Sequence, residues 1–365
     1  MELKTFTPDW TSAPGDTISQ ILDLRNISLK SFSKMLGIKQ SDTRKLLKGE
    51  HEINNELALK LSSNLGASQD FWINREQTYR CDLERLRESE IEKKRWLESL
   101  PVRDMVKFGW IEKSTNFQNK IASCLAYFGA TSIDRWYTKY NYKLSRTAFR
   151  TSTSFDSSPE SIVTWLRQGE IRSQERELKP WSKEKLQDSL EKIKSLSRDS
   201  EPSSFIPKLQ NIFSECGVAL VILPTPTKCR ASGATFFNED DHPIMLLSFR
   251  YLSDDQFWFT LFHEVGHLLL HGQDRLFIEG DGFITEAEEE EANKFSENTL
   301  IPQQYKDEFF DLNSKDWKKI PRFAKKLGIS PGIVVGQMQH YEFLDKRYFN
   351  KMKVRYNRDE IASLS

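Results

Sequence analysis

The strongest hydrophobic pattern in the chain runs from Phe257 to Leu270, where apolar residues fall on nearly every face of the helix that the spacing predicts. Ser253 and Gln256 match the Ser-x-x-Gln pattern of a capping box, which predicts a helix start at Ser253, and Gly272 predicts its end. A helix that is apolar all round is buried, and polar residues in it need partners.

Three polar residues interrupt this apolar run as His-Glu-x-x-His. His263 and His267 are four residues apart, so on a helix they lie one turn apart on one face. Two neutral imidazoles at that spacing can bind one Zn²⁺. Glu264 flanks the metal as a general base for the attacking water, so the pattern predicts hydrolysis. The alternative is a chance pentapeptide with two core histidines.

A catalytic zinc needs a third protein ligand, and a second predicted helix offers one. Thr285 and Glu288 form a capping box at its start. Glu289 and Asn293 are four residues apart on one face, which favours Glu289 as the ligand and Asn293 as a group that orients a ligand histidine. Glu291 is the rival ligand, and most glutamates of this acidic run are expected to be solvated.

The beginning of the chain has a different pattern, a string of short amphipathic helices over residues 14–74. Ser28 caps a helix from Leu29 to Leu36 that ends at Gly37. A short turn leads to Ser41 and a second helix, Asp42 to Lys48. Helix, short turn with Gly and helix is the helix-turn-helix arrangement, whose second helix enters the major groove of DNA.

Polar and basic side chains cluster on and before that second helix. Lysine contacts to phosphate supply affinity, whereas Gln, Ser, Thr and Arg also suit base edges. The alternative is a small helical bundle with solvated lysines, and the acidic Asp42 weakens any assignment of single contacts. The candidate DNA-binding residues are Lys39, Gln40, Ser41, Thr43, Arg44, Lys45 and Lys48.

The middle of the chain is the least informative. Residues 81–100 alternate in charge and predict an exposed linker helix. Residues 101–200 have helical periodicity, and we expect 81–204 to be an adaptor. Arg146, Arg150 and Arg167, with Trp165, could bind a ligand or a partner, but ordinary helix-surface residues are the simpler interpretation.

From Phe205 the pattern changes to α+β. Val218 to Leu223 suits a buried strand, and Ala231 to Phe237 and Pro243 to Ser248 are further strands. We expect one of the last two to be an edge strand that lines the substrate cleft. An extended substrate could pair with this edge as a further strand.

Three further side chains are candidates for the site. Cys229 is expected to be a buried thiol rather than a thiolate that blocks the metal. His271 could touch substrate, but a histidine at a helix C-terminus is the simpler interpretation. His340, near the end of a predicted helix from Gly332, is a candidate to stabilise the oxyanion.

Composition narrows the class of protein. The 365 residues suggest two or three domains, and 38% hydrophobic residues with nine Trp and 24 Phe are not a disordered composition. The net charge is zero, so DNA binding must come from a local patch. With no long apolar run, no signal-peptide core and four scattered cysteines, we expect a cytoplasmic protein without a membrane partner.

The motifs around the two predicted metal helices resemble those of the ImmA/IrrE metallopeptidase domains, over about residues 205–345. The resemblance lies in His-Glu-x-Gly-His-Leu-Leu-Leu-His, Glu-x-Glu-Ala-Asn-x-Phe and Leu300-Ile301-Pro302. It implies a zincin-like α+β fold, Zn²⁺ bound by His263, His267 and Glu289, and Glu264 as the catalytic residue. That family includes peptidases that cleave a DNA-binding repressor, and also members whose proteolysis is undemonstrated.

The N-terminal motifs resemble the HigA/VapI-type antitoxin helix-turn-helix domains of the Xre class, over about residues 12–80. The resemblance lies in Pro14-Gly15, Leu36-Gly37, Leu65-Gly66 and the closing Phe71-Trp72-Ile73-Asn74. It implies homodimers on palindromic operators of double-stranded DNA.

The sequence thus predicts a multidomain protein with an all-α helix-turn-helix domain, a helical middle region and a zincin-like α+β domain. The predicted function is that of a DNA-binding regulator with a zinc-dependent endopeptidase that cleaves a protein partner, such as a cognate repressor or toxin, or itself. The alternative is an antitoxin or repressor in which the zinc fold is a sensor or a protein-binding module without turnover.

Overall fold

A computed structural model describes residues 8–141, 157–238, 240–271, 277–278, 286–313, 315 and 317–363. The backbone forms two compact units, Met1–Trp96 and Leu97–Ser365. Among the described residues, no helix combines the length and the apolar character that crossing a membrane requires. The three-domain division at residues 80 and 204 stays a prediction.

The described part of the first unit is helical. Its helices are α1 (Pro14–Leu24), α2 (Leu29–Leu36), α3 (Gln40–Leu47), α4 (Asn55–Leu65) and α5 (Gln69–Ser99), of which the last three residues of α5 lie beyond the unit boundary. The charged stretch predicted to be an exposed linker helix forms the second half of α5, which is continuous over 31 residues.

Local sequence explains how the first helices meet. The Ser28 side chain accepts a hydrogen bond from the Ser31 amide at the start of α2, and Gly37 ends that helix at a φ of 68°. Gly15 is required for another reason. A Cβ atom there would overlap the backbone of Leu47 at the end of α3, so only glycine lets α1 approach α3 this closely.

The second unit contains a small sheet surrounded by helices. Its strands are β1 (Ala219–Ile222), β2 (Gly233–Phe237), β3 (Pro243–Leu247) and β4 (Phe277–Ile278). Its helices are α6 (Val102–Lys107), α7 (Phe117–Phe128), α8 (described over 133–141), α9 (Pro159–Ser173), α10 (Lys183–Asp188), α11 (Leu190–Ser195), α12 (Pro202–Glu215), α13 (Asp254–Leu270), α14 (Glu286–Leu300), α15 (Lys306–Phe310), α16 (Lys319–Leu327), α17 (Pro331–His340) and α18 (Arg358–Ser363). Three 3-10 turns are Leu196–Arg198, Gln303–Tyr305 and Asn350–Met352.

The sheet has the order β1-β3-β2-β4. β1 is parallel to β3, whereas β2 is antiparallel to both β3 and β4. The prediction that β3 could be an open edge is wrong, because β3 lies between β1 and β2. β2 has β4 on its outer side, paired at Ala234 and Thr235.

Helices cover both faces of the sheet, as the alternation of side chains dictates. On one face Leu220, Met245 and Leu247 belong to the large core with α12 and α13. On the other face Val221 and Leu246 pack with Ile162, Trp165 and Leu166 of α9. Helix α9, which lies within the predicted adaptor region, thus completes the core of the second unit.

The N-terminus of α13 is held by buried polar contacts rather than by the predicted capping box. The helix begins at Asp254, but the Ser253 side chain makes no cap hydrogen bond. Asp254 Oδ1 accepts hydrogen bonds from the amides of Asp255 and Val354, and its Oδ2 accepts one from Ser330 Oγ at 2.6 Å. These bonds tie the start of α13 to α17. Gly272, Thr285, Arg146 and Arg150 lie outside the described residues.

Candidate metal centre and nucleic-acid interface

Three predicted ligands meet where α13 passes α14. The Nε2 atoms of His263 and His267 are 2.9 Å apart, and Glu289 Oε2 lies 3.3 Å from His263 Nε2. One ligand atom from each residue lies within 4.8 Å of the other two. Both histidines are buried, whereas Glu289 is partly exposed. The cluster is therefore open to solvent on the side of Glu289.

The outer ring nitrogens of the two histidines are also engaged. Asn293 Oδ1 lies 2.9 Å from His263 Nδ1, and an amide oxygen can only accept, so Nδ1 carries the proton and Nε2 presents its lone pair to the cluster. His267 Nδ1 lies 3.0 Å from His271 Nδ1. Burial, with His263 and His271 nearby, lowers the pKa of His267 to about 2 and keeps its ring neutral, as a ligand must be.

Small residues let the two helices approach each other. A Cβ atom on Gly266 would lie 3.2 Å from the Cα atom of Ala292 and 3.3 Å from Phe295. Ser296 Oγ donates a hydrogen bond to the Phe259 carbonyl at 2.9 Å, which joins the same two helices. The Gly of His-Glu-x-Gly-His and the Ala of Glu-Ala-Asn thus have a packing role, because bulkier residues would separate the histidines from Glu289.

Glu264 points to the sheet instead of to solvent. Its side chain is fully buried, and Thr235 Oγ1 of β2 donates a hydrogen bond to its Oε2 at 2.6 Å. A Cβ atom on Gly233 would overlap the same carboxyl group. Sequence reasoning missed both residues. The signal that was available is the glycine in a strand, which often marks a close approach by another group.

Other predicted residues have partners outside the cluster. Glu291, the rival ligand, lies 3.1 Å from His271 Nε2. His340 Nε2 lies 3.7 Å from Glu297 Oε1, and its side chain is 68% exposed, so this geometry lends the oxyanion role no support. Cys229 is buried among the apolar residues between the sheet and α9, in agreement with the buried-thiol interpretation.

The donor set fits a zinc ion. Two imidazole nitrogens and a carboxylate oxygen are the ligand types that Zn²⁺ prefers, and three protein ligands leave one position open in a tetrahedral site. The Nε2 atoms of His263 and His267 are also close enough, at 2.9 Å, to share a proton or to bind one cation together. The buried, oriented and neutral rings match what such an ion needs from its ligands.

The predicted DNA-binding surface is formed by α3 and the residue before it. Most of the predicted contact residues are exposed on this helix: Lys39, Gln40, Ser41, Arg44, Lys45 and Lys48. The helix begins at Gln40, with Lys39 as the N-cap residue, and not at Asp42 as we predicted. The Lys39 side chain makes no cap hydrogen bond, so it extends into solvent at the start of α3.

Thr43 is a correction to the predicted contacts. Its side chain is fully buried, its Oγ1 lies 2.9 Å from Ser33 Oγ of α2, and it donates to the Lys39 carbonyl at 3.1 Å. A residue that joins α2 to α3 in this way cannot contact DNA. The helical period explains why Thr43 is buried, because it lies on the same face of α3 as the buried Leu46.

Two comparisons with known proteins agree with the division of the chain into a helix-turn-helix part and a part that contains the histidine and glutamate cluster. Residues 217–337 match the family model of the IrrE N-terminal-like domain, a peptidase family. The N-terminal part is similar to YddM, an uncharacterized HTH-type transcriptional regulator of Escherichia coli (strain K12), with 39% identity over 61 residues. That alignment covers 17% of this chain and 65% of the relative, so the chain spans less than two thirds of the relative's length. No solved structure matches significantly.

The family model covers the sheet, α13, α14 and most of α17, which is the region that contains the histidine and glutamate cluster. The similarity to the regulator falls in the N-terminal part, which contains α2 and α3. The chain therefore joins a helix-turn-helix regulator-like region to an IrrE N-terminal-like domain.

Proposed function

We propose that this protein is a DNA-binding transcriptional regulator whose IrrE-like domain is a zinc-dependent endopeptidase that cleaves a protein partner or itself. The observation that carries the proposal is the position of Glu264. It is buried directly after His263, in a site where His263, His267 and Glu289 come together, and Thr235 holds its carboxylate. A structural zinc site would not require a carboxylate in that position.

The chemistry divides between the ion and the side chains. When bound, Zn²⁺ would polarise the scissile carbonyl and lower the pKa of water in the site. Glu264 would take the proton of the attacking water and pass it to the leaving amine. Thr235 donates to Oε2 and so fixes the orientation of the carboxylate, while Asn293 fixes the His263 ring. Burial of His267 and Glu264 keeps bulk water away from one side of the site.

The test compares the natural protein with the Glu264→Gln variant in cells, by mass spectrometry of protein N-termini. The proposal predicts new N-termini that depend on the natural protein and are absent with Glu264→Gln. Glu290→Gln, on the exposed side of α14, is the matched control and should leave cleavage unchanged. Equal sets of N-termini for the natural protein and Glu264→Gln would contradict the proposal.

A second candidate function is supported by β4. Phe277–Ile278 pairs with β2 at Ala234 and at Thr235, the residue that holds Glu264. An extended substrate would use the same backbone groups of β2 if it added as a strand. This occupied edge favours a repressor in which the zinc fold is a sensor or a protein-binding module. In that case Glu264→Gln would leave regulation of the protein's own promoter unchanged, whereas Arg44→Ala would abolish it.

DNA binding is common to both candidates. It is supported by the exposed cations of α3 and by the similarity to a helix-turn-helix regulator. Lys45 and Lys48 would contact phosphates, and Gln40 and Arg44, one turn apart on α3, would face the base edges. A homodimer on a palindromic operator and a cytoplasmic location complete the proposal.

A further inference from the structure

The second unit contains a cavity that shares no lining residue with the metal centre. Its volume is about 470 Å³, within the range of roughly 300–1,000 Å³ that small-molecule sites have. It lies where the parallel strands β1 and β3 end, because the residues that follow them, from Leu223 to Thr227 and from Ser248 to Arg250, line it. The carboxyl ends of parallel strands are where open α/β sheets bind ligands.

The charge of the lining is strongly positive. Four cations, Lys107, Arg172, Arg250 and Arg358, line the cavity against a single acid, Asp104. Asp104 is already engaged, since its Oδ2 accepts the Thr227 amide at 2.6 Å. Among the described residues, Arg172 is the one cation of the four with an ion pair, to Glu175 at 3.1 Å. For the other three cations, no ion pair with a carboxylate occurs within the part of the chain that the structure describes.

One donor inside this group has no acceptor. The Nε atom of Arg172 is buried and has no hydrogen-bond partner among the described residues. Buried polar groups are nearly always hydrogen-bonded, so this donor is available to an acceptor group of a bound ligand. Arg250 is half-buried, and its guanidinium donates to the Arg230 carbonyl, which fixes it at the cavity wall.

Aromatic rings form another part of the wall. Phe108 and Trp110 lie with their ring centroids 5.1 Å apart, and Trp110 stacks on Tyr127 at an interplanar angle of 7°. Trp110 is therefore held in place from behind by a ring outside the cavity. Fixed aromatic faces bind flat rings, and guanidinium groups bind phosphate by paired hydrogen bonds.

We infer that this cavity binds a nucleoside monophosphate, with the base against Phe108 and Trp110 and the phosphate among the four cations Lys107, Arg172, Arg250 and Arg358. Its size, its unbalanced positive charge, its orphan donor and its aromatic wall are each what such a ligand needs. Phe249 connects the site to the metal helix, since it lines the cavity and stacks on Phe257 of α13 with ring centroids 4.2 Å apart. The inference does not depend on whether the metal centre is catalytic.

The test is calorimetric titration of the full chain with AMP, with adenosine and inorganic phosphate as separate probes. We expect one AMP per chain, and binding at least about tenfold weaker for either probe that lacks the phosphate or the base. Lys107→Ala and Arg358→Ala remove exposed cations, so the fold should survive, which circular dichroism checks. Each should weaken AMP by about tenfold, as loss of one charge-assisted hydrogen bond does.

Arg322→Ala, on the exposed side of α16 and outside the cavity lining, is the matched control and should bind AMP like the natural protein. Absence of AMP binding at millimolar concentration would overturn the inference. So would equal affinity for AMP and adenosine, or AMP binding that Lys107→Ala and Arg358→Ala leave unchanged. Because no arm of this test requires proteolysis, its failure is distinguishable from failure of the proposed function.

Discussion

The hydroxyl of Thr235 lies 2.6 Å from the carboxylate of Glu264, across the interface between the sheet and the metal helix. Both side chains are fully buried, so the hydrogen bond cannot be replaced by one to bulk water. The bond links strand β2 to the residue proposed to move the proton.

Removing that hydroxyl should destabilise the protein through Glu264. Thr235→Val keeps the shape of the side chain, and loss of a bond to a buried charged group should lower the free energy of unfolding by about 1–3 kcal/mol. In the Glu264→Gln background the same change should cost less than about 1 kcal/mol, because the amide is neutral. Urea unfolding of the four proteins with a chelator present measures both costs. Equal costs in the two backgrounds would show that the bond does not act on the charge.

Asn293 should affect zinc affinity without touching the ion. Its Oδ1 lies 2.9 Å from His263 Nδ1 and selects the tautomer that presents Nε2. Loss of such an outer partner typically costs about 10–100-fold in metal affinity, so Asn293→Ala should raise the Kd for zinc by that factor. Competition with a chromogenic chelator measures it. Lys294→Ala, one position along α14, is the control and should change the Kd by less than about twofold. An unchanged Kd for Asn293→Ala would remove Asn293 from the site.

Asp254 should give the protein a distinctive pH dependence. Burial raises its pKa from 3.8 to about 6, and the charge of Asp255 adds to the rise, although hydrogen bonds from Ser330 and two amides oppose it. Between these two pH values the folded chain holds a proton that the unfolded chain has lost. This contribution to stability is therefore full below pH 4 and disappears as the pH rises to about 6.

The Asp254→Asn variant isolates that effect. Its amide can still accept the backbone hydrogen bonds but does not titrate in this range. The unfolding free energy of the natural protein minus that of Asp254→Asn should fall by roughly 2–3 kcal/mol from pH 4 to pH 7. Urea unfolding of both proteins at four pH values measures this difference. The subtraction cancels the contributions of the other titrating groups to the unfolding free energy. A difference that stays constant or rises with pH would contradict the buried, protonated Asp254.

The DNA-binding surface predicts a salt effect that depends on single lysines. Lys45 is exposed on α3, and a lysine that contacts phosphate contributes to the slope of binding against salt concentration. Lys45→Ala should weaken binding to a fragment of the protein's own promoter and lower that slope by about 1. Lys94→Ala, exposed on α5, should change neither. Fluorescence anisotropy at several salt concentrations measures the slope, and equal slopes for Lys45→Ala and the natural protein would exclude the contact.

The sequence predicted best where chemistry and period coincide. The spacing of His263 and His267 dictated that they share a face, and Glu289 and Asn293 had to be neighbours on a second helix. Contacts between distant parts of the chain had no such local signal. Thr235 is one polar residue in a buried strand, and only the register of the sheet against α13 brings it to Glu264.

Errors in the sequence analysis have physical reasons too. Thr43 has the polarity of a contact residue, but the rotation of α3 turns it towards Ser33. The start of α13 looks like a capping box, yet a buried aspartate takes over the hydrogen bonds. The helical periodicity of α9 indicated an apolar face that packs against another element. It did not indicate that this element is the face of the sheet opposite α13.

The metal content of the purified protein is the most direct test of the proposed metal centre. The natural chain should contain about one zinc, as a single three-ligand site requires. His263→Ala and Glu289→Ala should lose it, whereas Glu291→Ala should keep it, because Glu291 lies against His271 outside the cluster. A well-folded natural chain that cannot be loaded with zinc would contradict the metal centre. Loss of zinc in Glu291→Ala, with retention of zinc in Glu289→Ala, would show that Glu291 and not Glu289 is the third ligand.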